Sequence, residues 1–179
     1  MKLLIASDIH GSAYCARQLM NRFDQENPDT LVLLGDILYH GPRNALPEGY
    51  APMEVAQLLN ARAEHIVAVR GNCDAEVDQM VLDFPCMADY TVLEGESMRL
   101  FLTHGHVYGP SNLPKLPKGG KPWALCSGHT HVKVLREQDG VTLLNPGSVS
   151  LPKDGSRSYA VYENGAFTLK LLESGSTCE

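Results

Sequence analysis

Five short polar motifs, each placed where an apolar run ends, constrain this chain more than any other feature. They are Asp8-Ile9-His10, Gly35-Asp36, Gly71-Asn72-Cys73-Asp74, His104-Gly105-His106 and Gly128-His129-Thr130-His131. The runs before them (Lys2 to Ser7, Leu31 to Leu34, His65 to Val69, Arg99 to Thr103 and Leu125 to Ser127) suit buried strands. Ligands of open α/β sheets collect outside the carboxyl ends of the strands. Asp8, Asp36 and Asn72 should therefore converge on one rim without sharing any local sequence.

The first half of the chain alternates strand and helix patterns. Ser12 to Phe23 carries Ala13, Ala16, Leu19, Met20 and Phe23 on one helical face, with Ser12 as N-cap. Pro52 to Ala63 is a second helix with Pro in its first turn, and Asp74 to Leu82 a third, with Asp74 as a candidate N-cap after the Gly71-Asn72 turn. Such alternation implies crossovers and a parallel sheet. In the second half, further strands are expected at Thr91 to Leu93, Val132 to Glu137, Thr142 to Leu144, Ser158 to Tyr162 and Ala166 to Leu172. Turn signals at Asp139-Gly140, Asn145-Pro146-Gly147 and Glu163-Asn164-Gly165 suggest antiparallel hairpins. The expected architecture is α/β: two sheets face to face with helices outside, in one domain over 1–179. Two loops stand out, His40 to Ala51 and the Pro- and Gly-rich His106 to Pro122, the latter long enough to be a rim or lid.

A net charge of -6 argues against a nonspecific nucleic-acid binder. The five cysteines (Cys15, Cys73, Cys86, Cys126 and Cys178) are scattered, with no CxxC pair, which fits free thiols in a reducing compartment. No apolar run approaches a membrane span, and Met1 to Ala6 is too short for a signal segment. A cytoplasmic protein is expected. Homo-oligomerisation stays open, since no coiled coil or interface stripe is visible.

Each motif alone is unremarkable turn or capping chemistry. Together they hold three carboxylates, an amide and several imidazoles, and five of the seven histidines fall in them. Asp8 and His10, like His129 and His131, are two residues apart and on an extended backbone would face one side. Such donors suit divalent Mn, Fe, Ni or Zn. Two ions roughly 3.5–4 Å apart can clamp the entering and leaving oxygens of a displacement at phosphorus. His40, Arg43 and Arg70 are further candidates to face such a site, the arginines as phosphate clamps.

The order D-x-H, G-D, G-N-x-D, H-G-H, G-H-T-H resembles the calcineurin-like metallophosphoesterases, and within them the small YfcE-like phosphodiesterases. Asn145-Pro146-Gly147-Ser148 and Gly41-Pro42-Arg43-Asn44 add to the likeness, which covers nearly the whole chain. The resemblance implies a four-layer α/β/β/α sandwich of two mixed sheets flanked by helices. It implies two divalent ions, manganese first, with Fe, Ni, Co, Zn and Mg open. One ion would take Asp8, His10, Asp36 and His131, the other Asp36, Asn72, His104 and His129, with Asp36 as the bridge. The implied reaction is hydrolysis of a small phosphodiester by a hydroxide between the ions, with Asn72 and His104 stabilising charge.

One position departs from the wider family. Many members read G-N-H at the amide motif, with that His as proton donor, whereas this chain has Cys73. His106 or His40 would then substitute, or the substrates would carry good leaving groups; Cys73 as a nucleophile is a sharper alternative. Three other readings remain: a phosphomonoesterase or nucleotide phosphatase on the same site, a nuclease, and a non-catalytic scaffold like the retromer subunit of this fold.

Overall fold

The computed structural model describes residues 1–178. The first half forms β1 (Leu3–Ala6), α1 (Ala13–Glu26), β2 (Thr30–Leu33), α2 (Pro52–Asn60), a 3-10 turn (Ala63–His65), β3 (Ile66–Ala68) and α3 (Glu76–Gln79). The second half forms β4 (Tyr90–Glu94), β5 (Arg99–Thr103), β6 (Trp123–Cys126), β7 (Lys133–Gln138), β8 (Val141–Pro146), β9 (Ser158–Glu163) and β10 (Ala166–Leu171).

These strands make two mixed five-stranded sheets, ordered β10-β9-β1-β2-β3 and β4-β5-β6-β8-β7. β1, β2 and β3 are parallel neighbours, as the strand–helix alternation predicts. The second half is less purely antiparallel than its turn signals suggest. β6 pairs in parallel with both β5 and β8: the long segment after β5 is a crossover without a helix, and the edge strand β7 carries the chain from β6 back to β8. The β9–β10 hairpin leaves its sequence neighbours and completes the first sheet, with Leu3 opposite Tyr162.

The period-2 alternation of β1 sorts its side chains between two cores. Leu3 and Ile5 join Val32, Leu34, Leu100 and Leu102 between the sheets. Leu4 and Ala6 point outward, where Ala16, Leu19 and Met20 of α1 and Val55 and Leu59 of α2 cover them. Ser12 caps α1, its Oγ accepting from the Cys15 N–H at 3.2 Å. On the far face of the second sheet, Phe101, Leu125 and Leu143 are covered by Tyr108, Leu113 and Leu116 of the loop after β5. α3 is a single turn rather than the longer helix expected, and its N-cap is Ala75, not Asp74. His65 lies in the 3-10 turn that precedes β3 instead of opening the strand. No helix among the described residues is long and apolar enough to cross a membrane.

Candidate metal centre

The five motifs meet at the carboxyl ends of β1, β2, β3, β5 and β6, so the site straddles the edges of both sheets. Asp8, His10, Asp36, His104 and His131 are buried, His129 is partly exposed and Asn72 is exposed. Three overlapping groups offer ligand atoms within 4.8 Å of one another: Asp8, His10 and His131; Asp8, Asp36 and His104; and His10, Asp36 and Cys73.

The backbone that aims these groups is not the extended one expected from the i, i+2 spacing. Asp8, His10, Asp36, His129 and His131 all have positive φ, between 51° and 67°. Non-glycine residues held there carry strain of roughly 1 kcal/mol or more each, which persists only where the surroundings over-determine it. The left-handed turns replace strand alternation as the device that points both members of each pair inward.

Those surroundings are hydrogen bonds to carboxylates and carbonyls. The Asp74 carboxylate accepts from the N–H of Asp36 (2.8 Å), Ile37 (2.8 Å) and Gly71 (2.7 Å), tying the loop after β2 to the loop after β3. Burial raises Asp74 above the usual carboxylate range, against the lowering pull of those N–H groups. Ser148 and Ser150 hydroxyls both donate to the Asp8 carbonyl, at 2.8 and 3.1 Å. Asn145 donates to the Gly128 carbonyl at 2.7 Å, fixing the turn that carries His129. Gly71 lies so close to Asp36 that an added Cβ would stand 2.1 Å from its Oδ1.

The protonation pattern of the histidines follows from their partners. The Nδ1 atoms of His10, His104 and His131 face main-chain carbonyls of Tyr39 (2.9 Å), Leu34 (2.7 Å) and Leu151 (2.6 Å), so each carries its hydrogen there. Their Nε2 lone pairs then point at other acceptors. His10 Nε2 is 3.2 Å from His131 Nε2, and His131 Nε2 is 3.2 Å from Asp8 Oδ1. His104 Nε2 faces Asn72 Oδ1 at 3.0 Å and Asp36 Oδ2 at 3.4 Å. Asp8 Oδ1 is buried with no hydrogen-bond donor assigned to it. Acceptors facing acceptors at this range need positive charge between them, as a proton or as a cation.

The titration behaviour agrees. Burial opposes charge on His104, but hydrogen bonding to Asp36 and the charges of Asp8 and Asp36 raise it to about 9. His10 is raised as well: burial works against it, but its Asp8 and Tyr39 contacts prevail. Burial would raise Asp8 and Asp36, yet their histidine partners hold both below the usual carboxylate range. His106 and His129 are lowered, by burial first and by the His104 charge next. Burial and the Asp36 charge push the Cys73 thiol up to about 12. The donor set, hard carboxylate oxygens with imidazole nitrogens that a cation can take in place of their protons, fits divalent metal ions.

A cleft of about 580 Å³ opens over this cluster. Asp36, Arg43, Asn72, Cys73, His129 and His131 line it, while Asp8, His10 and His104 sit behind them. His40 and His106 do not line it. Arg70 does not either, since its guanidinium is paired with Asp89 at 2.7 Å. Lys153 does line the cleft, held by its N–H bond to the His131 carbonyl at 2.9 Å. Nothing in the sequence marks it, because it lies outside every motif. Asp74 was visible, but as a cap.

Residues 1–165 match the family model of the calcineurin-like phosphoesterase superfamily domain. The chain is 49% identical over 177 residues to the phosphodiesterase YfcE of Escherichia coli, covering 98% of this chain and 95% of that protein. It superposes on a solved structure of YfcE, a phosphoesterase from E. coli, with a TM-score of 0.95 and 48% identity, covering 100% of this chain and 97% of that one. Vps29 from Entamoeba histolytica, solved with zinc, shares the fold at a TM-score of 0.64 and 19% identity, covering 99% and 96%.

Proposed function

This chain belongs to the calcineurin-like phosphoesterase superfamily, and from that premise we propose that it is a di-metal phosphodiesterase acting on a small phosphodiester. The observation that carries the reading is the set of Nε2 lone pairs of His10, His104 and His131 turned toward the Asp8 and Asp36 carboxylates, each ring locked by a carbonyl at Nδ1. Asp8, His10, Asp36 and His131 would hold one divalent ion, and Asp36, Asn72, His104 and His129 a second. Manganese is the first choice. When bound, such ions supply the positive charge that stabilises the oxygens entering and leaving phosphorus.

The protein's own groups do the rest. The Tyr39, Leu34 and Leu151 carbonyls keep one nitrogen of each imidazole protonated and the other free to bind. Arg43 and Lys153, the two cations lining the cleft, bind the non-bridging phosphate oxygens. Asn72 reaches the same space from the exposed side. Burial and the Asp36 charge disfavour the Cys73 thiolate in the metal-free protein, which weighs against a nucleophilic role. Burial and the His104 charge lower His106, and it does not line the cleft, which weighs against it as proton donor. Good leaving groups follow from that arrangement. The cysteines are all free, which supports a reducing, cytoplasmic setting.

The test is hydrolysis of bis(p-nitrophenyl) phosphate beside p-nitrophenyl phosphate by metal-free protein titrated with Mn. Diester turnover saturating near two ions per chain supports the proposal. Monoester turnover alone changes the substrate class, and no turnover with any divalent ion moves weight to a binding scaffold. Asp36→Ala should abolish both metal retention and turnover.

A further inference from the structure

We propose that the apolar groove adjoining the cleft is a subsite for a flat, uncharged aromatic substituent of the substrate; this rests on the phosphodiesterase reading above. The groove has a volume of about 340 Å³, and Cys73 lines both it and the polar cleft, so the two spaces adjoin at one side chain. A volume of that size suits a small organic group rather than a peptide.

Its walls are mostly apolar and partly exposed. Tyr39, Tyr50, Met53 and Val77 line it, and Tyr39, Met53 and Val77 are 42%, 56% and 61% exposed. The walls are also held in place. The Tyr39 and Tyr50 rings both stand edge-on to His40, with centroids 4.8 and 5.2 Å away. The backbone of Gly11 presses on Tyr50, leaving only 2.5 Å between an added Cβ and the ring. The Tyr39 carbonyl is the acceptor for His10 Nδ1, so the groove is registered to the metal-ligand cluster through a single residue.

The chemistry separates the two spaces. No Lys or Arg lines the groove, and its one carboxylate, Asp78, accepts the Ala75 N–H. A phosphate placed there would face the Asp78 carboxylate and meet no cation. An aromatic ring gains edge and face contacts with two tyrosines and a sulfur contact with Met53. The phosphate therefore stays in the cleft with Arg43 and Lys153, and the arm on phosphorus that is flat and apolar reaches past Cys73 into the groove.

Two diesters sharing the p-nitrophenolate leaving group test this: bis(p-nitrophenyl) phosphate and methyl p-nitrophenyl phosphate, with the Mn-loaded protein. Stacking of one ring on a tyrosine implies that Tyr39→Ala lowers the diaryl-to-methyl ratio of kcat/KM about tenfold, and Met53→Lys lowers it as well. Met80→Lys, at a residue 83% exposed and outside the groove, should leave that ratio alone. An unmoved ratio in both groove variants overturns the proposal. A second readout needs no turnover. Metal-free protein is titrated with p-nitrophenol and, separately, with adenosine, while the Met53 and Val77 methyl resonances are followed. Saturable ring-current shifts support the subsite, and the stronger of the two probes tells a simple aryl arm from a nucleoside arm. No saturable shift with either overturns it. Shifts that track protein concentration alone assign the groove to a second copy and overturn it too. Saturable shifts with no ester turnover keep the aromatic subsite and remove the phosphodiesterase reading.

Discussion

Replacing Asp74 with Asn should destabilise the protein and loosen its metal site in one stroke. Asp74 is 8% exposed and accepts three main-chain N–H bonds, two at Oδ2 (Asp36 and Gly71) and one at Oδ1 (Ile37). An Asn can place its single oxygen at the two-bond position. Its NH2 then faces the Ile37 N–H, donor to donor, where an acceptor stood at 2.8 Å. One buried donor left unpaired costs about 1–3 kcal/mol. The two surviving bonds also lose charge assistance, which weakens each to about half. Together these amount to about 3 kcal/mol. With a urea slope of about 2 kcal/mol/M, the unfolding midpoint of the metal-free protein should fall by about 1.5 M. Because the same carboxylate sets the Asp36 and Gly71 backbone, Mn affinity should drop about 10–100-fold, as for other outer-shell partners. Urea melts of metal-free protein and calorimetric Mn titration read the two effects separately. An unchanged midpoint with unchanged Mn affinity would refute the idea that Asp74 staples the two ligand loops.

Three further outcomes are expected. Metal-free protein should lose thermal stability as pH rises from 6.5 to about 9, because folding raises His104 to about 9 from its ordinary 6.5. The stabilisation is complete below the unfolded value and gone above the folded one. His104→Gln should reduce the slope, with His10 supplying the remainder, and a melting temperature that climbs over this window would contradict the assignment. Cys73→Ser should retain diester turnover, because burial and the Asp36 charge disfavour the thiolate a covalent step would need; complete loss of turnover in a folded variant would revive a covalent role. Gly71→Ala puts a Cβ 2.1 Å from Asp36 Oδ1. Overpacking of this kind costs about 1–3 kcal/mol, and Mn titration should show weakened binding. Wild-type affinity in that variant would mean the loop yields freely.

Much of the site was legible because its chemistry is carried by residue type. Asp8, Asp36 and Asn72 follow apolar runs, and runs that become parallel strands must end on one edge. The same logic reaches His104 and His129 after β5 and β6. Less legible were the groups that hold the ligands. Asp74 reads as a helix cap in sequence, and only the packing of β2 beside β3 brings three N–H groups to it. Ser148 and Ser150 support Asp8 from about 140 residues away. Arg70 and Arg43 look alike in sequence, yet one is paired with Asp89 and the other lines the cleft.

Local pattern thus determined which segments are strands, which helices cover the first sheet, and which side chains can bind a divalent ion. Apolar periodicity and donor chemistry are properties of neighbouring residues, so the chain order suffices to read them. The tertiary structure decided the rest: the parallel pairing of β6, the capture of β9 and β10 by the first sheet, the left-handed turns that aim Asp8, His10, His129 and His131, and the tautomers fixed by distant carbonyls. Each depends on hydrogen-bond partners far apart in the chain, and such partners have no counterpart in local sequence.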